Sequence, residues 1–204
     1  MRNSVCLAEP CRKEPRAIPP QPPTPTVTIA RATTPEDLDA VRDLVRGFYR
    51  FAMAHVAKAT GRDPTTENPT VFANLDKELA DLPGRYGPPS GCLLLARLDG
   101  KPVGTVAYFG QSATEMEIKR MFVREDAWGH GLGARLLDML LTEARAAGYR
   151  HFKLSTHVSL THAHGLYRRM GFVDAPISAD FPGAIEGVDL CMEMRVHEDG
   201  RSAR

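Results

Sequence analysis

Apolar positions along this chain change their spacing several times, and each change marks an element. Val27-Thr28-Ile29-Ala30 alternates as a strand does. Thr34-Pro35-Glu36-Asp37 then predicts a helix start, with a Thr cap, Pro at the first helical position and acids in the first turn. Leu38, Val41, Leu44, Val45 and Phe48 follow at helical spacing and are expected to face a core. Residues Gly61 to Pro69 have the composition of a loop, and a shorter helix is expected over Val71 to Leu82, ended by Pro83-Gly84.

From Gly91 the period falls to two. Cys92 to Ala96 reads as a strand, Asp99-Gly100 as a hairpin turn, Val103 to Phe109 as the returning strand and Met116 to Val123 as a third. A glycine-rich turn follows. A long helix comes next, with Leu132, Leu136, Leu137, Leu140, Ala144 and Ala147 on one face and Gly148 at its end. His151 to Thr156 is a further strand. Ala163, Leu166, Tyr167 and Met170 stand at i, i+3, i+4 and i+7 of a last helix stopped by Gly171, and Phe172-Val173 and Val188 to Val196 supply closing strands. The order β, α, α, three β, α, β, α, β, β predicts an α/β fold, a mixed sheet with helices on its faces.

Composition narrows the class. At 204 residues, 43% hydrophobic and 25% charged, the chain suits one ordinary globular domain, expected over residues 27–197. Residues 1–26 carry Pro15, Pro19, Pro20, Pro22, Pro23 and Pro25 among few bulky apolar side chains, so a disordered tail is expected there, and a short polar tail over 198–204. A net charge of +1 with signs interspersed gives no nucleic-acid footprint. No apolar run is long enough to span a membrane, and the first thirty residues lack the apolar core of a secretory signal. Cys6, Cys11, Cys92 and Cys191 form neither a disulfide framework nor a C-x-x-C pair, so a reducing, cytoplasmic setting is expected.

The chemistry concentrates at Gly129-His130-Gly131-Leu132-Gly133-Ala134. A strand, a glycine turn and a helix place unpaired amides at a positive helix end, which suits an anion such as a phosphate. A P-loop would need Gly-Lys-Ser/Thr, and Ala134-Arg135 stands there instead. A dinucleotide fingerprint fits poorly, because five residues separate strand from turn and Ser155-Thr156-His157 replaces the ribose-binding acid.

Trp128-Gly129-His130-Gly131-Leu132-Gly133 and Leu166-Tyr167-Arg168-Arg169-Met170-Gly171-Phe172, in this strand order, resemble the core of the GNAT superfamily of N-acetyltransferases. The hallmark there is Gln/Arg-x-x-Gly-x-Gly/Ala opening a helix, so Trp128 departs from the pattern. The run from Leu79 to Ala96 is also similar to a bacterial subgroup of uncharacterised members. The resemblance implies a mostly antiparallel mixed sheet flanked by helices on both faces. It implies acetyl-CoA as cosubstrate without a metal, and a primary amine of a small molecule, amino acid or peptide as acceptor, attacked directly in a ternary complex. The pantetheine arm would lie along Met121, Phe122 and Val123, where a backbone amide would also face the oxyanion. The diphosphate would rest on the amides of Gly129, His130, Gly131, Leu132, Gly133 and Ala134. Tyr167 would be the general acid at the departing thiolate, and Glu117 the general base. Dimers are common in such proteins, so a homodimer is the assembly to test. The competing reading is an acyl-CoA-binding sensor or inactive relative, for which Trp128 is the support.

His157, His162 and His164 do not suggest a metal site, since His162 and His164 point about 200° apart on a helix. The acceptor pocket is expected between the first helices and the later strand ends, with Tyr49, Phe51, His55, Phe72, Tyr86 and Phe181 as candidate lining.

Overall fold

The computed structural model describes residues 25–61, 69–177, 179, 181 and 186–196. Nearly all of the expected Pro-rich tail and all of the C-terminal tail lie outside these residues, as does the side chain of Phe72.

The helix start at Thr34 forms as its residues dictate. The Asp37 amide donates to Thr34 Oγ1 at 3.1 Å and the Thr34 amide to Asp37 Oδ2 at 3.3 Å, a reciprocal capping box. Helix α1 (Pro35–Thr60) then runs seven turns to Gly61, whose positive φ of 69° lets its amide close on Ala57 O. Val41, Leu44 and Val45 are buried and Phe48 is half-buried, as the spacing predicts. Helix α2 (Pro69–Ala80) starts and ends about two residues earlier than expected. Pro69 is well placed in a first turn, and Leu82 precedes a proline and is steered out of helical geometry. Leu82 is still buried, in the turn that leads into a short 3-10 helix at Gly84–Tyr86.

The strands are β1 (Val27–Arg31), β2 (Gly91–Leu98), β3 (Lys101–Gly110), β4 (Glu115–Val123), β5 (His151–His157), β6 (Val173–Ala175) and β7 (Asp189–Arg195). They form one sheet in the order β1-β2-β3-β4-β5-β7-β6. Only β4 and β5 are parallel, so the sheet is mixed and mostly antiparallel. The Asp99-Gly100 turn forms with φ of 49° and 79°, the paired left-handed geometry of a two-residue hairpin. Helices α3 (Leu132–Ala146) and α4 (Thr161–Arg169) cover one face. There Leu136, Leu137 and Leu140 pack with Met116, Ile118, Phe152, Leu154 and Phe172. Helices α1 and α2 cover the other face, where Val41, Leu44, Leu75 and Leu79 meet Leu93, Leu95 and Ala107.

One irregularity in β4 positions everything that follows. Met116 and Ile118 belong to the α3/α4 core. Arg120 has φ of 57°, and the register against β3 shifts between Thr105 and Ala107. This bulge restarts the alternation out of phase. Met121 and Val123 therefore join the α3/α4 core, while Phe122 packs on the α1/α2 side against Phe48 at 5.7 Å. The Arg120 side chain, 14% exposed, is anchored to Glu78 of α2 at 2.6 Å and to the Tyr49 hydroxyl of α1 at 2.8 Å. Left-handed backbone costs a non-glycine residue about 1–2 kcal/mol, and the two anchors hold it in place.

Candidate active site

The parallel ladder between β4 and β5 covers only Glu115–Ile118 against His151–Leu154. Both strands continue, and β5 remains paired with β7 as far as His157, so β4 and β5 part into a wedge. On the far side of β4, the Arg124 amide donates to Val103 O at 2.8 Å. Antiparallel alternation then directs the Val123 N–H and C=O away from β3 and into the wedge, with those of Met121, while Phe122 bonds toward β3. Of the three pantetheine candidates, Met121 and Val123 thus present main-chain groups to the wedge. Phe122 does not, because the bulge set its parity.

The glycine turn stands at the mouth of this wedge. Gly129 and Gly131 have φ of 86° and 67°, conformations that favour glycine, and both are exposed. Gly131 caps α3 without a side-chain hydrogen bond, and the first amide to find a helical carbonyl is Arg135, on Gly131 O. The amides of Leu132, Gly133 and Ala134 therefore lack intrahelical partners. The first turn of α3 contains no acid that would compete for this positive end. A Cβ added at Gly133 would meet Leu166 Cδ2 at 3.2 Å and Met121 Cε at 3.5 Å, so α3, α4 and β4 converge there. His130 is exposed, and Leu132 sends its side chain into the core. Uncapped amides, absent acids and strand groups that face the wedge fit an extended ligand with a diphosphate at one end.

Tyr167 lies on α4, 5% exposed, with its ring edge-on to Phe172 at 5.9 Å. Among the described residues its hydroxyl makes no hydrogen bond, and burial alone pushes its pKa up, so it stays a protonated donor. Glu117 sits on β4 at the closed end of the wedge and is 3% exposed. Lys119 Nζ lies 2.5 Å from one of its oxygens and Gln111 Nε2 donates to the other at 2.9 Å. Both oxygens are engaged, so a proton reaches Glu117 by displacing a partner or through water.

Trp128 is half-exposed and anchored. Its indole N–H donates to Val123 O at 2.9 Å, its ring stacks on His162 of α4 at 6.1 Å, and Phe51 of α1 meets it edge-on at 6.2 Å. His164, by contrast, is buried, and its Nε2 donates to His157 O at 3.0 Å. The two histidines serve opposite sides of α4. Among the described residues no three His, Cys, Asp or Glu side chains gather as a metal site.

On the α1 side, a cavity of about 780 Å³ lies between α1 and the end of β4, lined by Arg46, Gly47, Arg50, Phe51, Phe122 and Arg124 among others. Of the expected acceptor residues, Phe51 lines this space, and His55 lies beside its ring at 4.9 Å. Tyr86 is core, with its hydroxyl on Glu78, and Phe181 is buried. Tyr49 is tied to Arg120.

A buried polar cluster at the closed end of the wedge escaped the sequence reading. His151 places Nδ1 2.8 Å from Glu115 and Nε2 2.7 Å from Glu193, and Lys153, 2% exposed, lies 3.4 Å from Glu115. The signal was present as charged residues at i and i+2: Glu115, Glu117 and Lys119 on β4, His151 and Lys153 on β5. Glu115 stands in register with His151 and Glu117 with Lys153, where the two strands are still paired.

A seven-stranded, mostly antiparallel sheet that opens beside a glycine-capped helix is thus the frame of the site. The model of the acetyltransferase (GNAT) family matches residues 46–172. An uncharacterized N-acetyltransferase of Schizosaccharomyces pombe is 33% identical over 150 residues, 72% of this chain and 82% of the relative. An IAA acetyltransferase of Azospirillum brasilense is 38% identical over 118 residues, 51% of this chain and 75% of the relative. The structure of PaiA N-acetyltransferase from Thermoplasma acidophilum, in complex with coenzyme A, superposes with a TM-score of 0.65 at 16% identity, covering 83% of this chain and 99% of that one. The chain belongs to the GNAT acetyltransferase family.

Proposed function

We propose that the protein is an N-acetyltransferase that moves an acetyl group from acetyl-CoA to a primary amine of a small molecule, amino acid or peptide, by direct attack in a ternary complex. The observation that carries this reading is the wedge, where the main-chain groups of Met121 and Val123 face away from β3, with the uncapped amides of α3 at the end of the same strand. The cosubstrate supplies an acetyl thioester. The amides of Leu132, Gly133 and Ala134 would hold its diphosphate, with the exposed Gly129–Gly131 turn beside them. A Met121 or Val123 amide would face the carbonyl oxygen as it gains charge.

As the amine nitrogen bonds to the carbonyl carbon and the carbon–sulfur bond breaks, one proton leaves nitrogen and one arrives on sulfur. Tyr167 donates the proton to sulfur, and Glu117 receives the one from nitrogen. The two side chains sit on opposite sides of the sheet, and only the open wedge lets both reach one reacting centre. The acceptor enters from the α1 side, where the cavity beside Phe51 and Phe122 gives it room. A cytoplasmic enzyme that needs no metal fits this chemistry.

Assaying CoA release against small amines, amino acids and peptides tests the reading. Acceptor-dependent release of CoA supports it; CoA binding with no release for any acceptor supports the sensor reading instead.

A further inference from the structure

Trp128 touches three elements at once: Val123 at the end of β4, His162 at the start of α4 and Phe51 of α1. The side chain thus bridges the end of β4 to α4 and α1, beside the wedge. The carbonyl it occupies is special. Val123 O faces the open side of β4, where β5 provides no partner, so it is a main-chain acceptor that an amide of the pantetheine arm would use. The ring is nevertheless 48% exposed, and it neighbours the exposed glycines 129 and 131, whose backbone tolerates rotation.

We propose that Trp128 gates the cosubstrate cleft. Its indole N–H takes the Val123 carbonyl in place of a pantetheine amide N–H, and the ring leaves His162 when acetyl-CoA enters. This inference rests on the acetyl-CoA reading above and sets how tightly the protein holds its cosubstrate. Each binding event must first break one protein hydrogen bond and one ring stack, so the affinity is lower than the wedge alone would give.

Trp128 is the only tryptophan of the chain, so its emission reports this ring and nothing else. Titrating the full chain with CoA is expected to shift that emission. By isothermal titration, Trp128→Phe, which keeps a ring but lacks the N–H, is expected to bind CoA about two- to tenfold more tightly than the parent, the range of one net hydrogen bond. His162→Ala removes the stacking partner at an exposed site and is expected to tighten binding in the same direction, independently of how Trp128→Phe folds. Equal or weaker CoA binding by the folded variants overturns the gate, because a merely structural Trp128 gives that result. Absence of CoA binding to every form, the parent included, overturns the acetyl-CoA reading and the gate with it.

Discussion

Replacing Tyr167 by phenylalanine separates chemistry from packing, because the ring and its contacts stay while the hydroxyl goes. The hydroxyl is carried on a residue 5% exposed and makes no hydrogen bond among the described residues. The hydroxyl has no protein hydrogen bond to lose and is not an enclosed unpaired atom, so its removal is expected to leave the stability of the fold nearly unchanged. The ring stays, and with it the edge-on contact to Phe172. For a chain of this length about 1 kcal/mol moves the melting temperature by about 2–4 °C, so Tyr167→Phe is expected to melt within that range of the parent. Turnover is expected to fall at least about tenfold, toward the roughly 10²–10⁴-fold that a positioned acid contributes. CoA affinity by isothermal titration should change little. Because burial raises the pKa of this phenol, the loss is expected to be the same from pH 7 to 9. Thermal melts and a thiol-detection assay on the same samples suffice. Parent-like turnover from a folded variant refutes the donor role.

Glu117→Gln is expected to abolish the acidic limb of the pH–rate profile; a limb identical to that of the parent removes Glu117 from the role of base. Arg120→Ala removes the bonds to Glu78, which keeps Arg85 and the Tyr86 hydroxyl, and to Tyr49, for a loss of about 2 kcal/mol in chemical denaturation. Arg120→Gly tolerates the same φ and is expected to retain about 1 kcal/mol of that, so an alanine variant as stable as the glycine variant contradicts the strained bulge. The hydrogen bond from His151, aided by Lys153, holds the Glu115 carboxyl below its ordinary 4.5 against the opposing effect of burial. A lowered folded value means that this stability is present above the ordinary value and is lost as pH falls through the lowered one. Melting temperature should therefore drop on acidification below about 4.5 more steeply in the parent than in Glu115→Gln, and parallel curves refute the contribution.

Much of the architecture was legible because local chemistry and tertiary structure agree. Thr34 and Asp37 cap α1, Asp99-Gly100 turns the hairpin, and Gly148 and Gly171 follow their helices with φ of 98° and 97°. The glycines at 129 and 131 marked a turn that opens a helix, and the structure gives both positive φ beside the open wedge. What periodicity did not show was the bulge at Arg120. Strict alternation through Met116–Val123 gives Phe122 the same parity as Met116, whereas one inserted residue turns it toward α1. The bulge depends on Glu78 and Tyr49, which are distant in sequence, so no local pattern records it. Nor did the sequence reading place β7 between β5 and β6, since that order is decided by pairing across the sheet. Trp128 was legible as a departure from the family pattern, and only its three contacts gave it a role.

The central claim is that the wedge beside α3 is a coenzyme A site. Isothermal titration of the full chain with CoA, acetyl-CoA and NAD addresses it directly. The account predicts one-to-one binding of CoA and acetyl-CoA and none of NAD; binding of NAD, or no binding of either CoA species, contradicts it.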